Sequence, residues 1–241
     1  MSIKSEWCNF VNKIMWIWVW DSQKRKQLRL SPALIKGKNN RIIIFSDDND
    51  DIKRKKVPGL YINIKGSNNL IKIASNVKFN NCALSITANN TSVFIDKNSY
   101  YNSLVIDMLC GNGQKVELGK NITAYGLKIN LNEENAALIV KDNCLFSNSI
   151  SIWPTDGHSI FDKQTKTRIN HIKHPVEIGE HCWIGEGVKI TKNAKLPPNS
   201  IVGIGAVVTK EFTEENTIIA GNPARVIKKD ILWNTRLNHK Y

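Results

Sequence analysis

From Ile178 onward an aliphatic residue recurs at every sixth position: Ile178, Ile184, Ile190, Leu196, Val202 and Val208. A small or medium residue follows each of the first five by four positions (Cys182, Val188, Ala194, Ser200, Ala206), and glycine comes next in line at Gly179, Gly185 and Gly203. This period excludes most architectures. An α-helix advances about 100° per residue, so positions six apart drift off any one face, and a single antiparallel strand needs strict alternation. Stacked coils of short parallel strands satisfy the pattern, with each aliphatic side chain turned inward onto its equivalent one turn later.

A longer period precedes the hexads. The segments GSNNLIKIASNVKF, ANNTSVFIDKNSYY, GNGQKVELGKNITA and EENAALIVKDNCLF align, with Ile73, Ile95, Leu118 and Val140 separated by 22, 23 and 22 positions. Gly66, Ala88, Gly111 and Glu133 open the connecting turns at the same intervals. Asparagines in those turns tolerate left-handed backbone, and the apolar stretches between them are strand-sized.

The register breaks once. Val140, Phe146 and Ile152 keep hexad spacing, then WPTDGHSIFDKQTKTRINHIKHP leaves the ladder until Ile178 restarts it. An excursion of this length from a regular ladder means function or disorder. His158 lies at its base, in Asp156-Gly157-His158.

The hexads, the CWIGEG motif and the DGH loop together resemble the hexapeptide-repeat acyltransferases. DGH resembles in particular the DxH motif of bacterial polysaccharide and sialic acid O-acetyltransferases. The match is specific over Ile139 to Ile227 and weaker, though periodic, from about Ile62. The resemblance implies an all-β fold, a left-handed parallel β-helix of triangular section with about 18 residues per turn in three hexads. A 22-residue coil is then that unit with a few extra residues at one corner. Handedness comes from the resemblance alone, because parallel crossovers are nearly always right-handed.

The same resemblance implies roles. His158 would be the general base on an acceptor hydroxyl, with Trp183 lining the same pocket. An imidazole with an ordinary pKa of about 6.5 is largely neutral at physiological pH and can take the alcohol proton as the oxygen attacks a thioester carbonyl. Asp156 either orients that imidazole or merely turns the chain. The acyl donor, acetyl-CoA, would run along the outside of the late coils. Motif matching places Glu186, Ile204, Gly205, Thr209 and Lys210 beside the pantetheine arm, and Arg225 and Lys228 near the nucleotide phosphates, where cations suit. Glu186 replaces a small residue common at that position. These enzymes are usually homotrimers, and His158 and Trp183 are expected to face one another across a subunit boundary. His171 and His174 bind acceptor or nothing, His181 and His239 read as solvated, and Cys182 reads as core, where apolar burial opposes the thiolate.

Charge and composition add limits. The formal net charge is +13 over 241 residues, and residues 1–60 hold 13 Lys or Arg against 6 Asp or Glu. That calls for an anionic partner, yet no nucleic-acid motif accompanies it, so nucleic acid is not expected. The five cysteines (Cys8, Cys82, Cys110, Cys144, Cys182) show neither metal-ligand spacing nor a disulfide framework, so no metal is expected. Near the amino terminus FVNKIMWIWVW is too short and too interrupted to span a bilayer, which takes about 20 apolar residues. Trp7, Phe10, Val11, Ile14, Met15, Trp18 and Val19 fall on one helical face. Two readings of it stay open: packing on the protein's own core or another subunit, or peripheral membrane contact through residues 7–29 with cations on anionic lipid.

The expected organisation is therefore a helical, basic capping region over 1–60, a β-helix over 61–227 with an inserted loop at about 153–175, and a tail over 228–241 with a short helix from about Val226 to Leu237. The expected function is acetyl-CoA-dependent O-acetylation of a sugar hydroxyl on a bacterial surface polysaccharide (capsule, O-antigen or exopolysaccharide). A carbohydrate acceptor, polymeric or lipid-linked, is expected, and so is a cytoplasmic setting, free or peripheral at the inner face of the plasma membrane. A small free acceptor (serine, an antibiotic, a galactoside or an amino sugar) and a non-catalytic β-helix scaffold are the alternatives.

Overall fold

Strands of two to six residues recur along the chain, each too short to bury much surface alone. The computed structural model describes residues 34–46, 49–52 and 57–235. The expected N-terminal helix, the membrane-contact segment 7–29 and His239 lie outside the described residues. Apart from one antiparallel strand at each end, each strand pairs in parallel with the strand one coil later, giving three eight-stranded sheets that form the three faces of a left-handed β-helix of about seven coils.

Three aliphatic or aromatic columns fill the prism. On the first face Ile62, Leu84, Ile106, Ile129, Ile152, Ile190 and Val208 stack in register. On the second the column is Ile44, Ile73, Ile95, Leu118, Val140, Ile178 and Leu196. On the third it is Phe79, Tyr101, Ala124, Phe146, Ile184, Val202 and Ile219. Consecutive hexads therefore visit successive faces, as the six-residue spacing requires. All of these side chains are buried, and each fully buried aliphatic contributes about 1.5–3 kcal/mol.

The corner between first and second faces varies in length. Eleven positions separate Ile62 from Ile73, six separate Ile190 from Leu196, and 26 separate Ile152 from Ile178. The 22-residue period is thus an 18-residue coil with its extra residues at this one corner, and the excursion is the same corner enlarged. Gly66 allows adjacent coils to approach there, since a Cβ on it would meet the Ala88 carbonyl oxygen at 1.7 Å.

Asn98, Asn121, Asn143, His181, Asn199 and Asn216 turn the corner between second and third faces, all with φ between 54° and 62°. Asparagine tolerates this left-handed conformation, and its amides ladder between coils: Asn121 Nδ2 donates to Asn143 Oδ1 at 2.8 Å, and Asn143 Nδ2 to Glu180 Oε1 at 2.8 Å.

Both ends differ from the sequence expectation. The ladder starts before residue 60, because Arg41–Ser46 already pairs with Leu70–Ala74, and the antiparallel strand Asn49–Ile52 covers its edge. At the other end the expected helix from Val226 is a strand, Arg225–Lys228, antiparallel to Ile218–Ala220. The last coil exposes a row of unpaired backbone groups, and satisfying that edge outweighs the helical spacing of the apolar residues that follow.

Candidate active site

The excursion leaves the first face after Trp153 and returns at Val176. It is an ordered hairpin. Ile169 N–H donates to the Ile160 carbonyl at 2.9 Å, and the Asp162 carboxylate closes the tip by accepting from the N–H groups of Gln164 and Thr165.

Its base is tied to the prism by polar side chains. Thr155 Oγ1 donates to Glu133 Oε2 at 2.8 Å and accepts from Gly157 N–H at 2.9 Å. Glu133 also takes the Arg168 guanidinium in an ion pair. Arg168 Nε donates to Asn170 Oδ1 at 3.0 Å, and the same oxygen accepts from Ile160 N–H at 2.8 Å. Asn170 Nδ2 donates both to the His158 carbonyl and to Asp156 Oδ2, each at 2.8 Å. Finally Lys192 reaches from the next coil, its Nζ 2.7 Å from the Asn170 carbonyl and 2.5 Å from Asp156 Oδ2.

Asn170 is therefore the hub, and it is buried. His158 is exposed, and its ring has no hydrogen-bond partner among the described residues. Of the two roles open to Asp156, the geometry favours turning and fastening the chain, since its carboxylate faces Lys192 and Asn170. Desolvation alone would raise this carboxyl; the Lys192 and Asn170 contacts outweigh it and hold the group below the ordinary carboxylate range.

Trp183 projects from the third face, between Leu145 and Ile201 in the ladder, and is 39% exposed. The third face lies opposite the corner that anchors the excursion. One chain does not bring His158 and Trp183 together.

Five of the expected donor-binding residues flank the first face of the late coils, and Arg225 and Lys228 lie on the strand that ends the third-face sheet. Glu186, Ile204 and Gly205 share the edge between third and first faces, where Gly205 N–H donates to the Glu186 carbonyl at 2.8 Å. Gly205 has φ 68° with nothing within 4 Å of where a Cβ would stand, so its backbone is open to an approaching ligand. Thr209 and Lys210 follow the strand Val207–Val208, on the corner that carries the excursion. Arg225 and Lys228 bound the final strand. Lys192, Lys195 and Lys229 have carboxylate partners, whereas Lys210, Arg225 and Lys228 have none among the described residues, which suits them to an anionic ligand.

Other candidates take ordinary places. His174 pairs with Glu211 and bonds the Pro175 carbonyl, fastening the end of the excursion. His171 lines an open cavity of about 470 Å³ with Glu134, Arg168 and Lys173. His181, expected in solvent, is instead stacked under Trp233, with ring centroids 4.2 Å apart and planes 8° from parallel. Cys182 is fully buried, as expected of core. Sequence reading missed Asn170, Lys192, Arg168 and Trp233. The signal for one of the contacts was present: Thr155 lies 22 positions after Glu133, one coil on.

A polysialic acid O-acetyltransferase of Neisseria meningitidis is 31% identical to this chain over 178 residues, covering 74% of this chain and 81% of that protein. The chain belongs to the hexapeptide-repeat acetyltransferases. Within that family, the structure of the polysialic acid O-acetyltransferase OatWY superimposes with a TM-score of 0.75 at 27% identity, over 88% of this chain and 95% of that one. A polysialic acid O-acetyltransferase of Escherichia coli O1:K1 is 30% identical over 127 residues, 53% of this chain; the chain spans only 40% of that relative's length. No protein-family model matches the chain.

Proposed function

We propose that the protein transfers an acetyl group from acetyl-CoA to a sugar hydroxyl of a bacterial surface polysaccharide, with His158 as general base. The observation that carries this is the clamped excursion: a corner enlarged by one hairpin, whose buried hub holds the backbone of an exposed histidine while leaving the imidazole to its substrate. The kinship with polysialic acid O-acetyltransferases supports the reaction class and a carbohydrate acceptor.

In this reading an imidazole nitrogen of His158 takes the proton of the acceptor hydroxyl as that oxygen bonds to the thioester carbonyl carbon. The carbon–sulfur bond then breaks, and the leaving thiolate recovers the proton from the imidazolium, so the products are the sugar acetate and free CoA. Proton transfer of this kind contributes about two to four powers of ten in rate. Glu186, Ile204, Gly205, Thr209 and Lys210 would hold the pantetheine arm, with Arg225 and Lys228 near the phosphates. Because His158 and Trp183 lie on opposite sides of one prism, a complete site takes Trp183 from a neighbouring subunit, which supports a homotrimer. A cytoplasmic enzyme with residues 7–29 resting on the inner membrane face fits the basic, tryptophan-rich amino terminus and a lipid-linked or polymeric acceptor.

The test is incubation of the full chain with labelled acetyl-CoA and a panel of capsular, O-antigen and exopolysaccharide glycans. Label is expected on at least one glycan, and His158→Ala should lower its rate by about two to four orders of magnitude. Near-normal turnover in that variant overturns the assignment. A rise in thermal midpoint with millimolar acetyl-CoA reports donor binding by itself, because a ligand selective for the folded state stabilises it.

A further inference from the structure

Trp183 stands on a two-residue strand, Trp183–Ile184, with Leu145 and Ile201 as its ladder neighbours. Aliphatic neighbours on a flat face give an exposed indole little to fix its direction. The segment after the final strand supplies what they lack. The chain turns at Asp230, with φ 55°, and is pinned by Ile231 N–H to the Asn216 carbonyl at 3.0 Å and by the Lys229–Glu214 ion pair at 2.8 Å. Trp233 then folds onto the third face. Its indole N–H donates to the His181 carbonyl at 3.0 Å, and its ring lies flat on the His181 imidazole. The Trp183 ring sits 6.0 Å from it, centroid to centroid, at an interplanar angle of 39°.

The two indoles are unequal. Trp233 is 7% exposed and Trp183 is 39% exposed. The buried ring is held by a hydrogen bond and a stack, and the chain leading to it by one backbone hydrogen bond and one side-chain ion pair. His181 beneath it is itself fixed, at a left-handed corner with Nδ1 3.0 Å from Asn199 Oδ1. Contacts therefore run from the rigid corner ladder through His181 and Trp233 to Trp183. An aromatic pair at this separation and tilt is attractive, and it limits the torsions open to the exposed partner.

We propose that Trp233 is a positioning residue of the active site: it holds the Trp183 indole in the orientation that lines the acetyl-transfer cleft, so the segment from Asp230 to Trp233 belongs to the catalytic unit. This rests on the reading that Trp183 lines that cleft. A side chain ordered before substrate arrives spares the complex the cost of ordering it, and small misplacement at a reacting centre is expensive in rate.

The experiment is a double-mutant cycle in the full chain, with kcat and KM measured on acetyl-CoA and the labelled glycan. Trp233→Ala should lower kcat/KM about tenfold, and Trp233→Phe, which keeps an aromatic plane, should recover most of it. In a Trp183→Phe background the same Trp233→Ala change should cost less than about twofold, because residues acting through one another are not additive. Equal losses in both backgrounds, or an unchanged Trp233→Ala enzyme, overturn the proposal. Should the alanine chain not fold, Trp233→Leu keeps apolar burial without the ring and serves the same cycle. Far-ultraviolet circular dichroism supplies a readout that needs no activity. The exciton couplet of the indole pair should vanish in both Trp183→Phe and Trp233→Ala, and its survival in Trp233→Ala would also overturn the proposal. Full activity in Trp183→Phe would instead sink the placement of Trp183 in the cleft, a separate failure.

Discussion

The Asn170 carboxamide holds the His158 backbone from 12 positions away, its Nδ2 donating to the His158 carbonyl at 2.8 Å. The same amide accepts from Ile160 N–H and Arg168 Nε, so one buried side chain joins the outgoing and returning legs of the excursion.

Asn170→Ala should therefore lower kcat about 10- to 100-fold, since a misplaced base loses alignment with its substrate. It leaves the Ile160 N–H and the Asp156 carboxylate short of a partner, at a cost of about 1–3 kcal/mol in stability. Steady-state kinetics with chemical denaturation checks both. Loss of stability alone, with kcat intact, would count against the hub.

His158→Ala should lose activity without losing stability. The ring is exposed and has no hydrogen-bond partner among the described residues, so unfolding should shift by no more than about 0.5 kcal/mol while activity collapses. Denaturant midpoints of the two chains decide this.

Mixed oligomers test the proposed subunit-boundary arrangement of the site. Inactive His158→Ala and Trp183→Ala chains, exchanged and reassembled, should recover part of the wild-type activity if each site takes one residue from each of two subunits. No recovery after confirmed subunit exchange would count against that arrangement.

Asp107 offers a pH test of the fold. It stacks between Ser85 and Asn130 on the first face, and burial raises its carboxyl, partly offset by Lys128. A folded-state pKa above the unfolded value of about 3.9 means the folded chain binds the proton more tightly. The penalty is absent below about pH 4 and grows as pH rises through the folded pKa. Asp107→Asn should match wild type near pH 4 and be more stable at pH 7, as thermal midpoints across that range would show.

Ile129→Ala tests the core. Ile129 is fully buried between Ile106 and Ile152, and its truncation should cost about 2–5 kcal/mol in urea unfolding.

The spacing of Ile178, Ile184, Ile190, Leu196, Val202 and Val208, with the 22-residue period before it, was enough to determine the stacked coils, their inward columns and the corner where the excursion departs. A repeat states which residues are equivalent, and equivalence in a solenoid is contact. The histidine was legible for the complementary reason, since it stands where the period fails. Only the tertiary structure decided that Asp156 serves Asn170 and Lys192, that Arg225–Lys228 pairs as a strand and the chain after it brings Trp233 to His181, and that His158 and Trp183 lie on different sides of one chain's prism. Those outcomes depend on side-chain directions in non-repeating segments and on the backbone groups an open edge leaves to satisfy, and no period specifies either.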